Sequence, residues 1–304
     1  MGGQRIGFVG LGNMGGRMTR RLVDHGYPVL GFDPVPGRAA LAGAAPAASV
    51  TEVAAGSDCI LLSLPDSTVI EPVVLGAGGL LEAGRAGQVI ADLSTAAPSS
   101  TVRLHAALAA RGIDYLDAGI SGGAAGAERG TLTLMVGGPA AALDAIGWVL
   151  EPIASKVVHM GDSGTGHLTK ILNNLLNAVS LAATAEVMLA AKKAGLDLAR
   201  VLEVFNASTG VSFATLNRFP HIIEGNYLEG GLTSGLMTKD IVLYVDCLGE
   251  LGVPPLAASG PLAAFGLANS LGYRDQISNK VVDALGDVAG GIRLHDDRSG
   301  GTGE

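Results

Sequence analysis

The hexapeptide Gly10-Leu11-Gly12-Asn13-Met14-Gly15 stands between an apolar run, Ile6–Val9, and a helical pattern, Met14–His25. In a chain with 46 glycines among 304 residues, a G-x-G-x-x-G match carries little by itself. Between a strand and a helix it constrains the fold strongly. The glycines permit a tight turn and a close approach of backbone to a ligand, and the helix aims its first N–H groups at an anion. An acidic residue, Asp33, closes the next apolar run, Val29–Phe32, as a dinucleotide-binding βαβ unit requires.

The rest of the first half repeats this alternation. Ile60–Leu64, Val89–Leu93, Tyr115–Leu116, Leu132–Val136 and Val157–Met160 read as strands. Continuous apolarity over such lengths suits strands covered on both faces. Ser99–Arg111 reads as a helix opened by Pro98 and closed by Gly112. After Gly161 the strand signals stop, and helical periodicity runs from Gly166 to Lys193. Gly195 ends it, Asp197 caps the next helix, and further helices are expected at Leu198–Asn206, Leu236–Leu251, Leu256–Leu271 and Ser278–Ala284. The expected class is α/β. An N-terminal Rossmann domain with a doubly wound parallel sheet (1–162) is followed by a long interdomain helix and an all-α C-terminal domain (163–297). A Gly-rich tail (298–304) is expected to be disordered.

A formal charge of −8 argues against a nucleic-acid binder, and no polybasic run offers itself to an anionic membrane. The apolar stretch after Lys170 is interrupted by Asn173, Asn174, Asn177 and Glu186, a poor membrane span. Cys59 and Cys247 read as small buried hydrophobes, and no Cys, His or carboxylate cluster has metal-ligand spacing. With no signal-peptide pattern at the start, a cytoplasmic location is expected.

In the dinucleotide reading, Asp33 accepts hydrogen bonds from the adenosine ribose and repels a 2′-phosphate, so NAD is preferred over NADP. Arg38, close by, softens that preference. Leu64-Pro65 and Ser94-Thr95 follow later strands, at the carboxyl ends where ligands of such sheets bind. This makes Leu64, Pro65 and Thr95 further cofactor contacts. Ser121-Gly122-Gly123 offers a hydroxyl and backbone N–H groups to an anion, which at that edge is a substrate carboxylate. Lys170 and Asn174 share one helical face at i and i+4. A lysine in an apolar setting loses hydration, which favours its neutral form and suits it to proton transfer.

These segments together resemble the β-hydroxyacid dehydrogenases over nearly the whole chain. Four motifs occur in the expected order: Gly10–Gly15, Asp117–Gly123, Gly164–Asn174 with Lys170, and Lys239-Asp240. The resemblance implies Lys170 as the catalytic residue, with Ser121, Gly122, Gly123 and Asn174 around a small carboxylate substrate. It also implies Lys239 and Asp240 at the cofactor site, and a homodimer or homotetramer. The implied reaction moves a hydride between the cofactor and a short 3-hydroxy acid, with Lys170 taking or giving the hydroxyl proton and no metal. One departure stands out: Gly119-Ile120 replaces the common Pro-Val, which is expected to loosen that segment and to bear on substrate identity. The alternatives are an imine reductase, which typically lacks the lysine, and a non-catalytic nucleotide-binding scaffold of the same fold.

Overall fold

The computed structural model describes residues 5–295, so the expected C-terminal tail lies outside them. Contacts divide the chain into two compact units, Met1–Ile171 and Leu172–Glu304. This division falls inside the long helix Thr165–Lys193 rather than at the 162/163 junction. The helix's first turns are fastened to the first unit: Asp117 accepts from the backbone N–H groups of Gly164 and His167, each at 2.8 Å.

The first unit is built on one eight-stranded sheet in the order β3-β2-β1-β4-β5-β6-β7-β8. Its strands are β1 (Ile6–Val9), β2 (Val29–Phe32), β3 (Ala45–Pro46), β4 (Cys59–Leu62), β5 (Val89–Asp92), β6 (Asp114–Ser121), β7 (Leu132–Gly137) and β8 (Ala154–Gly161). The continuous apolar runs are explained by burial on both faces. Ile6, Phe8, Cys59, Leu61, Val89 and Ala91 enter one core, and Val9, Ile60, Leu62, Ile90 and Tyr115 enter the other. Successive residues of a strand point to opposite faces, so in the central strands, covered on both sides, both faces are mostly apolar.

Pairing is parallel from β3 through β6, but β6 and β7 are antiparallel, and β7 and β8 are again parallel. The doubly wound parallel sheet expected from the alternation is thus present as a parallel-dominated sheet, in which β7 and β8 run opposite to the other six strands. Only Gly122–Thr131, with the short helix Gly123–Arg129, joins β6 to β7. A parallel crossover needs a dozen or more residues, so this short link returns the chain antiparallel.

β6 is also longer than expected. Asp117–Ser121 belongs to the strand and pairs with Gly137–Thr133. Gly119-Ile120 is therefore ladder, not a loosened loop.

The second unit is helical. Its helices are Leu198–Asn206, Phe213–Asn217, Phe219–Ile222, Ser234–Leu251, Ser259–Ala268 and Val281–Val288, together with the larger part of Thr165–Lys193. By length and composition Thr165–Lys193 is apolar enough to cross a membrane, but Leu175, Leu181, Ala185, Met188 and Leu189 line this unit's core beside Phe219 and Phe265. Caps follow the sequence signals: Asp197 accepts from Ala199 and Arg200 N–H, and Ser212 and Thr215 form a reciprocal capping box. The single helix expected over Leu256–Leu271 is instead a 3-10 turn (Leu256–Ala258), an α-helix and a π-turn (Asn269–Tyr273) that ends where Gly272 adopts φ 89°. Ser278–Ala284 likewise opens with a 3-10 turn, Ser278–Lys280.

Candidate active site

The Gly10–Gly15 loop leaves β1 and enters helix Asn13–Asp24. Each glycine has its own reason. Gly10 adopts φ 89°, and a Cβ there would stand 2.3 Å from the Ser63 carbonyl oxygen. A Cβ at Gly15 would strike the Gly10 carbonyl oxygen at 1.9 Å, so this glycine lets the helix lie against the turn. At Gly12 a Cβ would meet nothing nearer than Arg38 Nη1 at 3.8 Å. Internal packing does not require glycine there, whereas a pyrophosphate approaching the backbone does. Gly12 is also the helix N-cap, and no side chain caps that end. The residues present therefore fit a dinucleotide phosphate. Leu11 is buried beneath the loop. Met14 packs against the same core, and Asn13 accepts from the Arg17 guanidinium through its backbone carbonyl at 2.7 Å.

Asp33 follows β2, and its side chain is only 4% exposed. It accepts from Leu11 N–H at 2.8 Å and Val35 N–H at 2.9 Å, and pairs with Arg38 Nη1 at 3.1 Å. One carboxylate thus ties the loop to the neighbouring strand end and carries its own counter-ion, a role not visible in the spacing. At the ends of β4 and β5, Leu64 N–H donates to Ser94 Oγ at 2.9 Å, bringing the Leu64-Pro65 and Ser94-Thr95 turns together.

Ser121 is the last residue of β6. Gly122 and Gly123 then take φ 131° and 62°, which turn the chain into helix Gly123–Arg129. Lys170 lies against β6. A Cβ on Gly119 would come within 2.5 Å of Lys170 Cβ and 3.0 Å of its Cγ. Below it, a Cβ on Gly166 would meet Asp117 O at 2.3 Å and Met135 O at 2.4 Å, and one on Gly137 would meet Asp117 Oδ1 at 2.7 Å. The helix root therefore rests main chain on main chain over the β6–β7 pair.

A buried network that the sequence reasoning missed braces this root. His167 is fully buried, with Nδ1 2.8 Å from Thr101 Oγ1 and Nε2 3.2 Å from the Asp92 carbonyl oxygen. Asp92, also buried, accepts from Tyr115 O–H at 2.7 Å and Ser94 N–H at 3.1 Å. Burial, with the neighbouring Asp92 carboxylate, holds the Tyr115 phenol well above its ordinary range. The signal available in the sequence was an acid inside or closing an apolar run, Asp92 and Asp117, since a buried carboxylate demands donors.

In the second unit Asn174 Nδ2 donates to Asp240 Oδ2 at 2.5 Å. Asp240 is 2% exposed, and Lys239 Nζ lies 3.1 Å from its Oδ1. Lys239-Asp240 is therefore not a solvated surface pair, and Asp240 serves Asn174. Among the described residues no group of three or more His, Cys, Asp or Glu is placed to hold a metal ion.

Residues 5–161 match the family described as the NAD binding domain of 6-phosphogluconate dehydrogenase. Residues 164–284 match NAD-binding of NADP-dependent 3-hydroxyisobutyrate dehydrogenase. The chain belongs to the β-hydroxyacid dehydrogenase family. It is 38% identical to 2-(hydroxymethyl)glutarate dehydrogenase of Eubacterium barkeri, over 89% of this chain and 92% of that one. It is 36% identical to the mitochondrial 3-hydroxyisobutyrate dehydrogenase of Mus musculus, over 92% and 86% of the two chains. Among solved structures, Mycobacterium tuberculosis 3-hydroxyisobutyrate dehydrogenase with L-serine superposes with a TM-score of 0.82 at 31% identity, covering 93% of this chain and 99% of that one. The protein is accordingly a hydroxyacid dehydrogenase, an NAD(P)-dependent oxidoreductase acting on CH–OH.

Proposed function

We infer that the protein interconverts a short 3-hydroxy acid and its semialdehyde or keto acid, with Lys170 as the proton-transfer group. The observation that carries this reading is the seating of Lys170 against Gly119, two positions before the Ser121 end of β6, in the unit that holds the glycine loop. When bound, the nicotinamide accepts or returns the hydride. Neutral Lys170 takes the hydroxyl proton during oxidation, and its ammonium form gives it back during reduction. Ser121 Oγ and the N–H groups of Gly122 and Gly123 receive the substrate carboxylate, and Asn174, held by Asp240, orients the hydroxyl. The family supports the same chemistry: 3-hydroxyisobutyrate and 2-(hydroxymethyl)glutarate, the acids in the relatives' names, both carry a hydroxyl on the carbon β to a carboxyl.

NAD is the preferred cofactor. Asp33 sets a carboxylate beside the loop where a 2′-phosphate would lie, and its pairing with Arg38 reduces the repulsion without removing it. The test follows NADH absorbance across a panel of 3-hydroxy acids, 2-hydroxy acids and cyclic imines. Oxidation of 3-hydroxy acids is expected. Turnover confined to 2-hydroxy acids, or imine reduction alone, would overturn the reading.

A further inference from the structure

The second unit holds a half-buried cation that has no carboxylate partner among the described residues. Arg218, between helices Phe213–Asn217 and Phe219–Ile222, donates through Nη1 to Asn279 Oδ1 at 2.6 Å and through Nη2 to Asn177 Oδ1 at 2.9 Å. Its guanidinium lies over the Phe213 ring, 5.7 Å from the centroid. Among the described residues its side-chain acceptors are these two amide oxygens, and no Asp or Glu forms an ion pair with it. Desolvation draws its pKa down to about 10, the direction expected of a cation without a counter-charge. Buried charges are ordinarily paired, because the cost of removing them from water is otherwise unmet. Two amides fix the orientation of the fork but neutralise nothing.

Position gives this charge a use. Asn177 follows Asn174 by three residues, so the two share a face of one helix, about 4.5 Å apart along its axis. Asn174 is the residue assigned above to the substrate hydroxyl. An anionic branch of the substrate extending one turn along that face reaches the Asn177–Arg218 pair. Guanidinium presents its donors as a planar fork that matches a carboxylate.

We propose that Arg218 receives a second carboxylate of the substrate, so that the preferred substrates are 3-hydroxy acids carrying a carboxyl-terminated branch. This rests on the 3-hydroxy acid activity proposed above. The test compares kcat/KM for 2-(hydroxymethyl)glutarate with that for 3-hydroxyisobutyrate. The wild-type protein is expected to favour the dicarboxylate, and Arg218→Gln to lower that ratio roughly 10- to 100-fold, mainly through KM. Asn177→Asp provides a variant of unchanged size that places an internal carboxylate on Arg218. Its melting temperature should hold or rise while the dicarboxylate preference disappears. Turnover of 3-hydroxyisobutyrate with no preference for the dicarboxylate would overturn the Arg218 assignment and leave the activity standing. So would equal losses for both substrates in both variants. Failure of every 3-hydroxy acid would instead sink the activity itself.

Discussion

Gly119 and Lys170 touch so closely that a single added carbon on the strand would stand 2.5 Å from the lysine's Cβ. Gly119 does not have a positive φ, so alanine there is opposed by crowding alone. Gly119→Ala should displace Lys170 and lower kcat by roughly 10²-fold, the scale for an ångström of misplacement, with little change in cofactor Kd. Steady-state kinetics and a fluorescence titration with NADH check both parts. A variant with normal kcat would show that Lys170 need not sit where β6 holds it.

Lys170→Ala should reduce kcat by about 10²–10⁴-fold, the usual contribution of a positioned acid or base. Cofactor binding should survive, because the Gly10–Gly15 loop and Asp33 are untouched. Turnover close to the wild-type rate would remove Lys170 from the chemistry.

Asp117→Ala strips the acceptor from Gly164 and His167 N–H at the root of the same helix. Two buried donors lose a charged partner, so a loss on the order of 3 kcal/mol is expected. Chemical denaturation measures it, and a change below ~0.5 kcal/mol would mean that water or a shifted backbone replaces the carboxylate.

Asp33→Ala leaves Arg38 without its partner carboxylate. The kcat/KM ratio for NAD over NADP should fall about tenfold or more, through both lost ribose contacts and lost repulsion of a 2′-phosphate. An unchanged ratio would show that selection lies elsewhere.

Asp58 offers a pH-dependent check on the first strand. The Arg5 backbone N–H donates to its carboxylate at 2.9 Å, and the Arg5 and Arg85 guanidinia lie beside it. These contacts, the Arg5 hydrogen bonds foremost, hold its pKa below 3.8. A lowered acid contributes stability above its unfolded pKa and loses it as pH falls through the folded value. Asp58→Asn should therefore destabilise by less than ~1 kcal/mol at pH 7, the scale of an exposed pair, with the difference shrinking below pH 4. A difference that grows in acid would contradict this.

What the sequence made legible was local. Gly10–Gly15 and Asp33 could be read because turn, helix start and strand end lie within one βαβ unit. The central strands of the first half could be read because burial on both faces makes them mostly apolar. Gly119 misled because in a one-dimensional reading a glycine inside a strand looks like a loop. Its reason, the Lys170 helix, arrives far later in the chain. Asp117 with His167 and Asn174 with Asp240 are separated by 50 and 66 residues. No spacing rule relates them. The two-residue strand Ala45–Pro46 was too short to carry a period.

At Gly166 a helix lies directly on the main chain of a strand pair, and Gly119 leaves the room in which Lys170 seats on β6. Apolar interiors drift: one branched residue is exchanged for another, neighbours resettle, and helices that ride on side chains shift with them. The root of Lys170 is held apart from that drift, because glycine main chain and the Asp117 carboxylate, not apolar side chains, lie beneath it. Its coordinates are inherited from the peptide backbone, and the surrounding core can be rewritten without moving the lysine.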